Sequence, residues 1–423
     1  MKNPILIIGL LAWVSVSTVA EPLISTNLTL ALALDLALRD NADLRSLRTK
    51  WEAMQERPAQ VGALSNPMFT YSAMDMASGG TWPNTGEKRF MVQQEFPWAG
   101  KRGLREGIAI KDAEVMQHEL EAMTRDVVMM VKESYFDLYA IQRVIAITRE
   151  EESVLRRIVK VTETMYATGE RSQVDVLKAQ SEITMLKQKL LESQSQENTL
   201  KAKLNTLLNR RVDNPMGLAI TPPQVGFSDN MKLLYAMAVT NRPEIQAAQT
   251  QIDRYALEKK LMAKESLPDY KLGLEYRDIA ASDNMLMFSV SIDLPIRRGK
   301  YRAGVREAER MQASSEAALE AAKRQSSLDV QDAHFKWVTA QRTLELYSTE
   351  LIPQATARFN ASESGYRTGK VDFMDLLESE RFLLGAKMMK AMAEGTAGMQ
   401  AARLERALGT TSSANGIAEG DGK

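Results

Sequence analysis

The chain is 423 residues long, and its 54 Lys and Arg are matched by 54 Asp and Glu, which excludes the bulk field of a general nucleic-acid binder. It has no Cys and only two His, so thiol nucleophiles, disulfide frameworks and most zinc centres are ruled out. Only 23 Gly and 13 Pro punctuate it, few enough to imply long uninterrupted helices.

Residues 1–20 read as a secretory signal. Met1 and Lys2 start it, residues 5–14 are almost continuously apolar, and Thr18, Val19 and Ala20 offer the small side chains of a cleavage site. The apolar stretch falls short of the roughly 20 residues a membrane-crossing helix needs, and no later window of about that length is free of charge. If the exported chain crosses a membrane, it must do so as a closed β-barrel.

A Leu- and Ala-rich helix is expected over 29–62, with Pro58 kinking or fraying its end. The period then changes to two. Phe69, Tyr71 and Ala73 alternate with Met68, Thr70 and Ser72, and Phe90, Val92 and Phe96 alternate with Met91, Gln93 and Glu95. Strands over 68–76 and 88–96 follow, joined by a long Gly-containing loop over 77–87. From 102 to 167 there is no Pro, and Gly occurs only near the start, so one helix of about 90 Å is predicted. Val127, Val131, Ser134, Leu138, Ile141 and Ile145 space by four and three, as in a coiled-coil seam. A turn at Gly169 leads to a helix over 174–208.

The second half reads as helix 229–265, strands 270–278 and 285–293 around a tighter loop at 279–284, helix 301–364, a turn at Gly369 and helix 373–408. Tyr270, Leu272, Leu274 and Tyr276 alternate with Lys271, Gly273, Glu275 and Arg277, and Leu286, Phe288, Val290 and Ile292 with Met287, Ser289, Ser291 and Asp293. The last helix carries Gly385, Ala386, Ala391, Ala393, Gly395, Ala397 and Gly398, a surface that allows another helix backbone to approach closely. Residues 409–423 have the composition of a flexible tail.

The two halves are copies of one plan. Tyr166-Ala167-Thr168-Gly169 followed by Asp175 and Leu177 returns, 200 residues later, as Tyr366-Arg367-Thr368-Gly369 followed by Asp375 and Leu377. The strand–helix junction Pro97, Trp98, Gly100, Lys101 is answered by Pro295, Gly299, Lys300. Asn66-Pro67 and Leu267-Pro268 precede the two hairpins, and the segment at Asn41 has a weaker counterpart at Arg242-Pro243. Residues 21–220 and 221–408 are thus two repeats of a unit far longer than ordinary solenoid repeats. Four ten-residue strands with one apolar face have the length and pattern of membrane strands. Four cannot enclose a channel, so closure requires other chains. The competing reading of the strands is a soluble two-hairpin sheet packed on a helix.

From the segment 28–37 to Leu408, the two Tyr-x-x-Gly turns and the two Pro-flanked hairpins resemble the TolC family of outer-membrane efflux channels. The resemblance implies a mainly α chain with a membrane β-barrel portion. In it, a homotrimer embedded in outer-membrane lipid gives a twelve-stranded barrel continued by a periplasmic α-helical barrel. It also implies a periplasmic adaptor (membrane fusion) protein and a proton-driven inner-membrane pump as partners, with no nucleic acid and no cofactor. On this resemblance the turns at Gly169 and Gly369 form the periplasmic tip, and Asp375 and Glu378 form an acidic constriction. Tyr166, Asp175 and Tyr366 then lie in the tip latch. Val371 stands where the family often has a basic residue, which leaves either a looser latch or one built on Lys370 or Arg367. For Asp175 and Asp375 the alternative is a helix-start role near the positive end of the dipole.

Glu95-Phe96-Pro97-Trp98-Ala99-Gly100-Lys101-Arg102 is similar to the junction of the heavy-metal branch of that family. The 24 Met, among them Met68, Met74, Met76, Met91, Met285 and Met287, suit flexible filling of seams and walls better than a metal path. His118 and His334 are isolated in helices, so no metal site is expected. The remaining alternatives are a multidrug or type I secretion duct of the same family, or a periplasmic coiled-coil adaptor. No paired nucleophile and base and no phosphate-binding loop occur, so an enzyme is not expected.

Overall fold

The computed structural model describes residues 27–74, 86–221, 225–279 and 283–410. The expected signal at 1–20 lies outside the described residues, as do most of the first hairpin loop, half of the second and all but two residues of the expected tail.

In chain order the elements are β1 (Asn27–Leu28), α1 (Leu30–Asp40), α2 (Ala42–Gln55), α3 (Arg57–Gly62), β2 (Met68–Met74), β3 (Glu87–Phe96), α4 (Lys101–Ala167) and α5 (Gln173–Leu207). The second half continues with β4 (Leu218–Ala219), α6 (Met231–Asn241), α7 (Pro243–Lys264), β5 (Tyr270–Ile279), β6 (Met285–Ile292) and α8 (Arg298–Leu346). A π-turn (Tyr347–Leu351), α9 (Ile352–Arg367) and α10 (Phe373–Leu408) complete it. At 67 residues α4 is about 100 Å long.

Three single helices drawn from the sequence are segmented in the structure, each for a local reason. The helix over 29–62 breaks at Asn41, whose side chain accepts the Asp43 and Leu44 N–H groups and so starts α2. Pro58 falls in the first turn of α3, where its missing N–H costs nothing. The helix over 229–265 breaks at Arg242, held extended by the Pro243 that follows it. The helix over 301–364 passes through the π-turn just before Pro353, and the wider turn absorbs the clash the ring would cause in a regular helix.

The two hairpins join into one sheet of order β2-β3-β5-β6, antiparallel throughout, with the central pair coming from different repeats. Register aligns the apolar residues in rows across all four strands. Phe69, Val92, Leu274 and Phe288 form one row, and Tyr71, Phe90, Tyr276 and Leu286 form the next. Ring centroids of Tyr71 and Phe90 are 5.1 Å apart. These residues are exposed, whereas the opposite face carries the ion-paired set Glu87, Arg89, Glu275 and Arg277.

Beyond the sheet the chain is a bundle of long helices. The main core lies where α1 and β1 pack on α4 and α5, around Leu36, Val131, Tyr135, Leu138 and Leu204. A second cluster, with Trp337 and Leu404, sits under α6. A third, with Leu155, Ile158, Tyr366, Phe373, Leu376 and Leu377, holds the two helical turns together at the far end. The small face of α10 meets α4: a Cβ on Gly395 would lie 2.7 Å from Ala140 Cβ and 3.0 Å from the Phe136 carbonyl oxygen.

Candidate functional site

Both distal turns use the same backbone device. Gly169 and Gly369 have φ of 79° and 74°, the left-handed region that favours glycine. Glu170 N–H bonds to Met165 O at 2.8 Å, and Lys370 N–H bonds to Gly365 O at 2.8 Å. These bonds close the helix carbonyls as a Schellman motif does. No atom outside the turn comes within 4 Å of a Cβ placed on either glycine, so the backbone conformation alone selects Gly.

Identical backbones carry different side-chain duties. Tyr166 is 47% exposed, whereas Tyr366 is 1% exposed, with its hydroxyl 3.3 Å from Thr162 Oγ1. Its ring lies 4.7 Å beneath the Arg171 guanidinium carbon, and Arg171 also donates to the Tyr366 and Val371 carbonyls. The basic group on the second turn therefore comes from the first repeat, at the position equivalent to Val371. Arg367 pairs with Glu363 one turn back on its own helix. Val371 packs on the second turn, where a Cβ on Gly365 would collide with its Cγ2.

Asp175 and Asp375 occupy the first turns of α5 and α10, where a carboxylate faces the positive end of the helix dipole. Asp372 is the N-cap of α10 and accepts the Asp375 N–H at 2.9 Å. Within the protomer Tyr366 pairs with Thr162 and Arg171 rather than with Asp175. Asp375 and Glu378 are both exposed, one helical turn apart on α10. Arg358 of α9 donates to Glu378 at 3.1 Å, so part of the Glu378 charge is compensated within the chain.

The strand–helix junctions also differ between repeats. Gly100 has φ 87°, and Lys264 reaches over it to donate to Ala99 O. Lys101 is 1% exposed, and its ammonium donates to Leu267 O at 3.0 Å and to Asp269 at 2.9 Å. Asp269 accepts the Trp98 N–H as well. Pro97, Trp98 and Gly100 are thereby fixed to the entry of β5, locking the two repeats where sheet meets helix. At the second junction, after Pro295, Gly299 has open space around it, and the exposed Lys300 lies over the Tyr301 ring rather than in a buried tie.

Sequence reasoning missed the buried charges, because nothing local distinguishes Lys101 from Lys300. Among the described residues no group of three or more His, Asp or Glu side chains could hold a metal ion, and no helix is long and apolar enough to cross a membrane.

The outer membrane efflux protein family model matches residues 33–210 and 234–410. The chain is 24% identical over 390 residues to the cobalt-zinc-cadmium resistance protein CzcC of Cupriavidus metallidurans, covering 90% of both chains. The fold is similar to a structure of CusC, described by its transmembrane channel formation, with a TM-score of 0.78 at 17% identity over 90% of this chain and 92% of that one. It is also similar to the outer membrane protein VceC of Vibrio cholerae, with a TM-score of 0.74 at 18% identity over 90% and 96%.

Proposed function

The chain belongs to the outer membrane efflux protein family, and from that premise we propose that three copies form the passive exit duct of a tripartite pump for heavy-metal cations. The observation that carries this reading is the four-stranded sheet, whose exposed face is apolar in register and whose outer strands β2 and β6 have no further partner strand among the described residues. An apolar face of that kind needs lipid, and two open edges need neighbouring strands. Copies closing edge to edge satisfy both requirements, with the ion-paired face turned inward. The metal assignment is supported by the similarity to CzcC and by the junction sequence from Glu95 to Arg102. A periplasmic adaptor and an inner-membrane pump complete the assembly, engaging the tip at Gly169 and Gly369.

Conduction needs no chemistry, only a gate and a filter. Asp375 and Glu378 of three chains supply a ring of carboxylates at the tip, which favours cations and repels anions. Arg171 over Tyr366 holds the second turn against the first and so belongs to the latch.

The purified chain should require detergent, behave as a trimer by light scattering and conduct ions in a planar bilayer; a water-soluble, silent protein would instead be an adaptor. Asp375→Asn with Glu378→Gln should reduce cation preference, and unchanged selectivity would place the filter elsewhere. Deleting the gene should lower tolerance to cobalt, zinc, cadmium, copper or silver. Loss of tolerance to organic toxins alone would assign the duct to another branch.

A further inference from the structure

The register of the sheet sorts its side chains by chemistry as well as by polarity. Among the described strand residues, the face that carries the Phe69 and Tyr71 rows holds Phe, Tyr, Val, Leu and Ile but no Met. All five strand methionines, Met68, Met74, Met91, Met285 and Met287, stand on the opposite face, with Glu87, Arg89, Glu275 and Arg277. The one other large apolar residue on that face is Ile279, at the hairpin end opposite Glu87. Flexible filling, the role expected of methionine from the sequence, would place it among the other apolar side chains. Its segregation onto the ionic face selects for the sulfur rather than for apolar bulk.

Strand pairing sets these sulfurs at four successive levels. Met74 is level with Glu87, and Met285 with Arg89 and Arg277. Met91 and Met287 flank Glu275 from either side, and Met68 is level with Gln93. Successive levels are two residues apart, about 6.8 Å, so a thioether recurs at every step over about 20 Å. Met68, Met74, Met285 and Met287 are exposed in the single chain, so packing does not consume them. The charges between them compensate one another: Arg89 pairs with Glu87, and Arg277 with both Glu275 and Glu87. Neutral thioethers are thereby left as the donors that distinguish one cation from another. Thioether sulfur is a soft ligand, matched to Cu(I) and Ag(I) and poorly matched to hard ions such as potassium and magnesium.

We propose that the five methionines form a thioether ladder on the inner wall of the duct, along which thiophilic monovalent cations, Cu(I) or Ag(I), pass from level to level. The inference rests on the channel reading, which turns this face inward, and narrows its heavy-metal substrates to soft monovalent ions. One or two thioethers at a level hold such an ion without enclosing it, as conduction through serial sites requires.

Planar-bilayer recordings of the full chain in potassium nitrate, which keeps silver in solution, test the ladder. Added silver should interrupt the wild-type potassium current, because a bound ion occupies the path. Met68→Leu, Met74→Leu, Met91→Leu, Met285→Leu and Met287→Leu combined should leave potassium conductance unchanged, since Leu conserves the side-chain volume. The silver needed for half-block should rise about tenfold in that variant, while block by magnesium stays equal. If the combined variant fails to assemble, Met91→Leu with Met287→Leu removes the level that holds two sulfurs and should shift silver block in the same direction. A conducting wild type that silver does not block, or equal silver block in wild type and variant, overturns the ladder and leaves the channel standing. A parallel shift in magnesium block marks a change of pore shape and overturns it as well. A chain that conducts no potassium removes the channel, and the ladder with it.

Discussion

The small face of α10 gives two substitutions of the same chemistry with opposite expected outcomes. A Cβ on Gly395 would stand 2.7 Å from Ala140 Cβ and 3.0 Å from a backbone oxygen of α4. Neither atom can rotate away, so α10 must move outward by about 0.7 Å to restore the 3.4 Å of ordinary contact. Overpacking of this kind costs about 1–3 kcal/mol, against a gain of about 1 kcal/mol from replacing a helical glycine by alanine. Gly395→Ala should therefore be destabilising by about 1 kcal/mol. Ten residues earlier, a Cβ on Gly385 meets nothing within 4 Å, and Gly385→Ala should keep the whole helical gain of about 1 kcal/mol. The pair should differ by about 2 kcal/mol, read as separated denaturation midpoints by far-ultraviolet circular dichroism in one detergent. Equal midpoints, or a more stable Gly395→Ala, would show that α10 does not seat on α4 through Gly395.

Three further outcomes are expected. Lys101→Met should cost about 3 kcal/mol, because it leaves Asp269 and Glu265 without the buried ammonium between them; a urea midpoint within error of wild type would contradict the tie. Gly369→Ala should cost about 1–2 kcal/mol for its left-handed backbone alone, and Gly169→Ala should cost the same, measured as local hydrogen exchange at each turn. Glu380 has a folded-state pKa of about 8 against an ordinary 4.5, so the folded state holds the extra proton between those values. Its contribution to stability falls as pH rises through that window. Glu380→Gln should abolish this slope, giving a higher melting temperature than wild type at pH 8 and a similar one at pH 5; parallel slopes would refute the assignment.

Periodicity carried most of the fold. The alternation that predicts β3 also fixes its register, because a slip of one residue would turn Phe90 and Val92 to the ionic face. The close approach expected of α10 was readable from Gly395 and Gly398, although its partner, Phe136 of α4, lies more than 250 residues away and left no local trace. The break at Arg242 was signalled by Pro243, whereas the break at Asn41 depends on a cap that competes with a good helix sequence. The π-turn before Pro353 has no sequence period of its own. At the turns, the shared glycines and tyrosines were legible, but the division of labour between Tyr166 and Tyr366 depends on which of them packs against the other repeat. Arg171, the counterpart of Val371 in the first repeat, lies over the Tyr366 ring, a contact between the two turns that no local pattern announces. Lys101 and Glu380 were invisible, since burial of a charge is decided by elements distant in sequence.

The strand order has a consequence for assembly. With four strands alternating in direction, β2 and β6 run opposite to one another. When β6 of one copy meets β2 of the next, the seam is antiparallel like every pair within the chain. An odd number of strands would force a parallel seam at each junction, with a different hydrogen-bond pattern. Such a contact would be head-to-tail, so any number of copies could close without a defect of direction. A single edge substitution, in β2 or β6, is accordingly repeated at every seam of the ring.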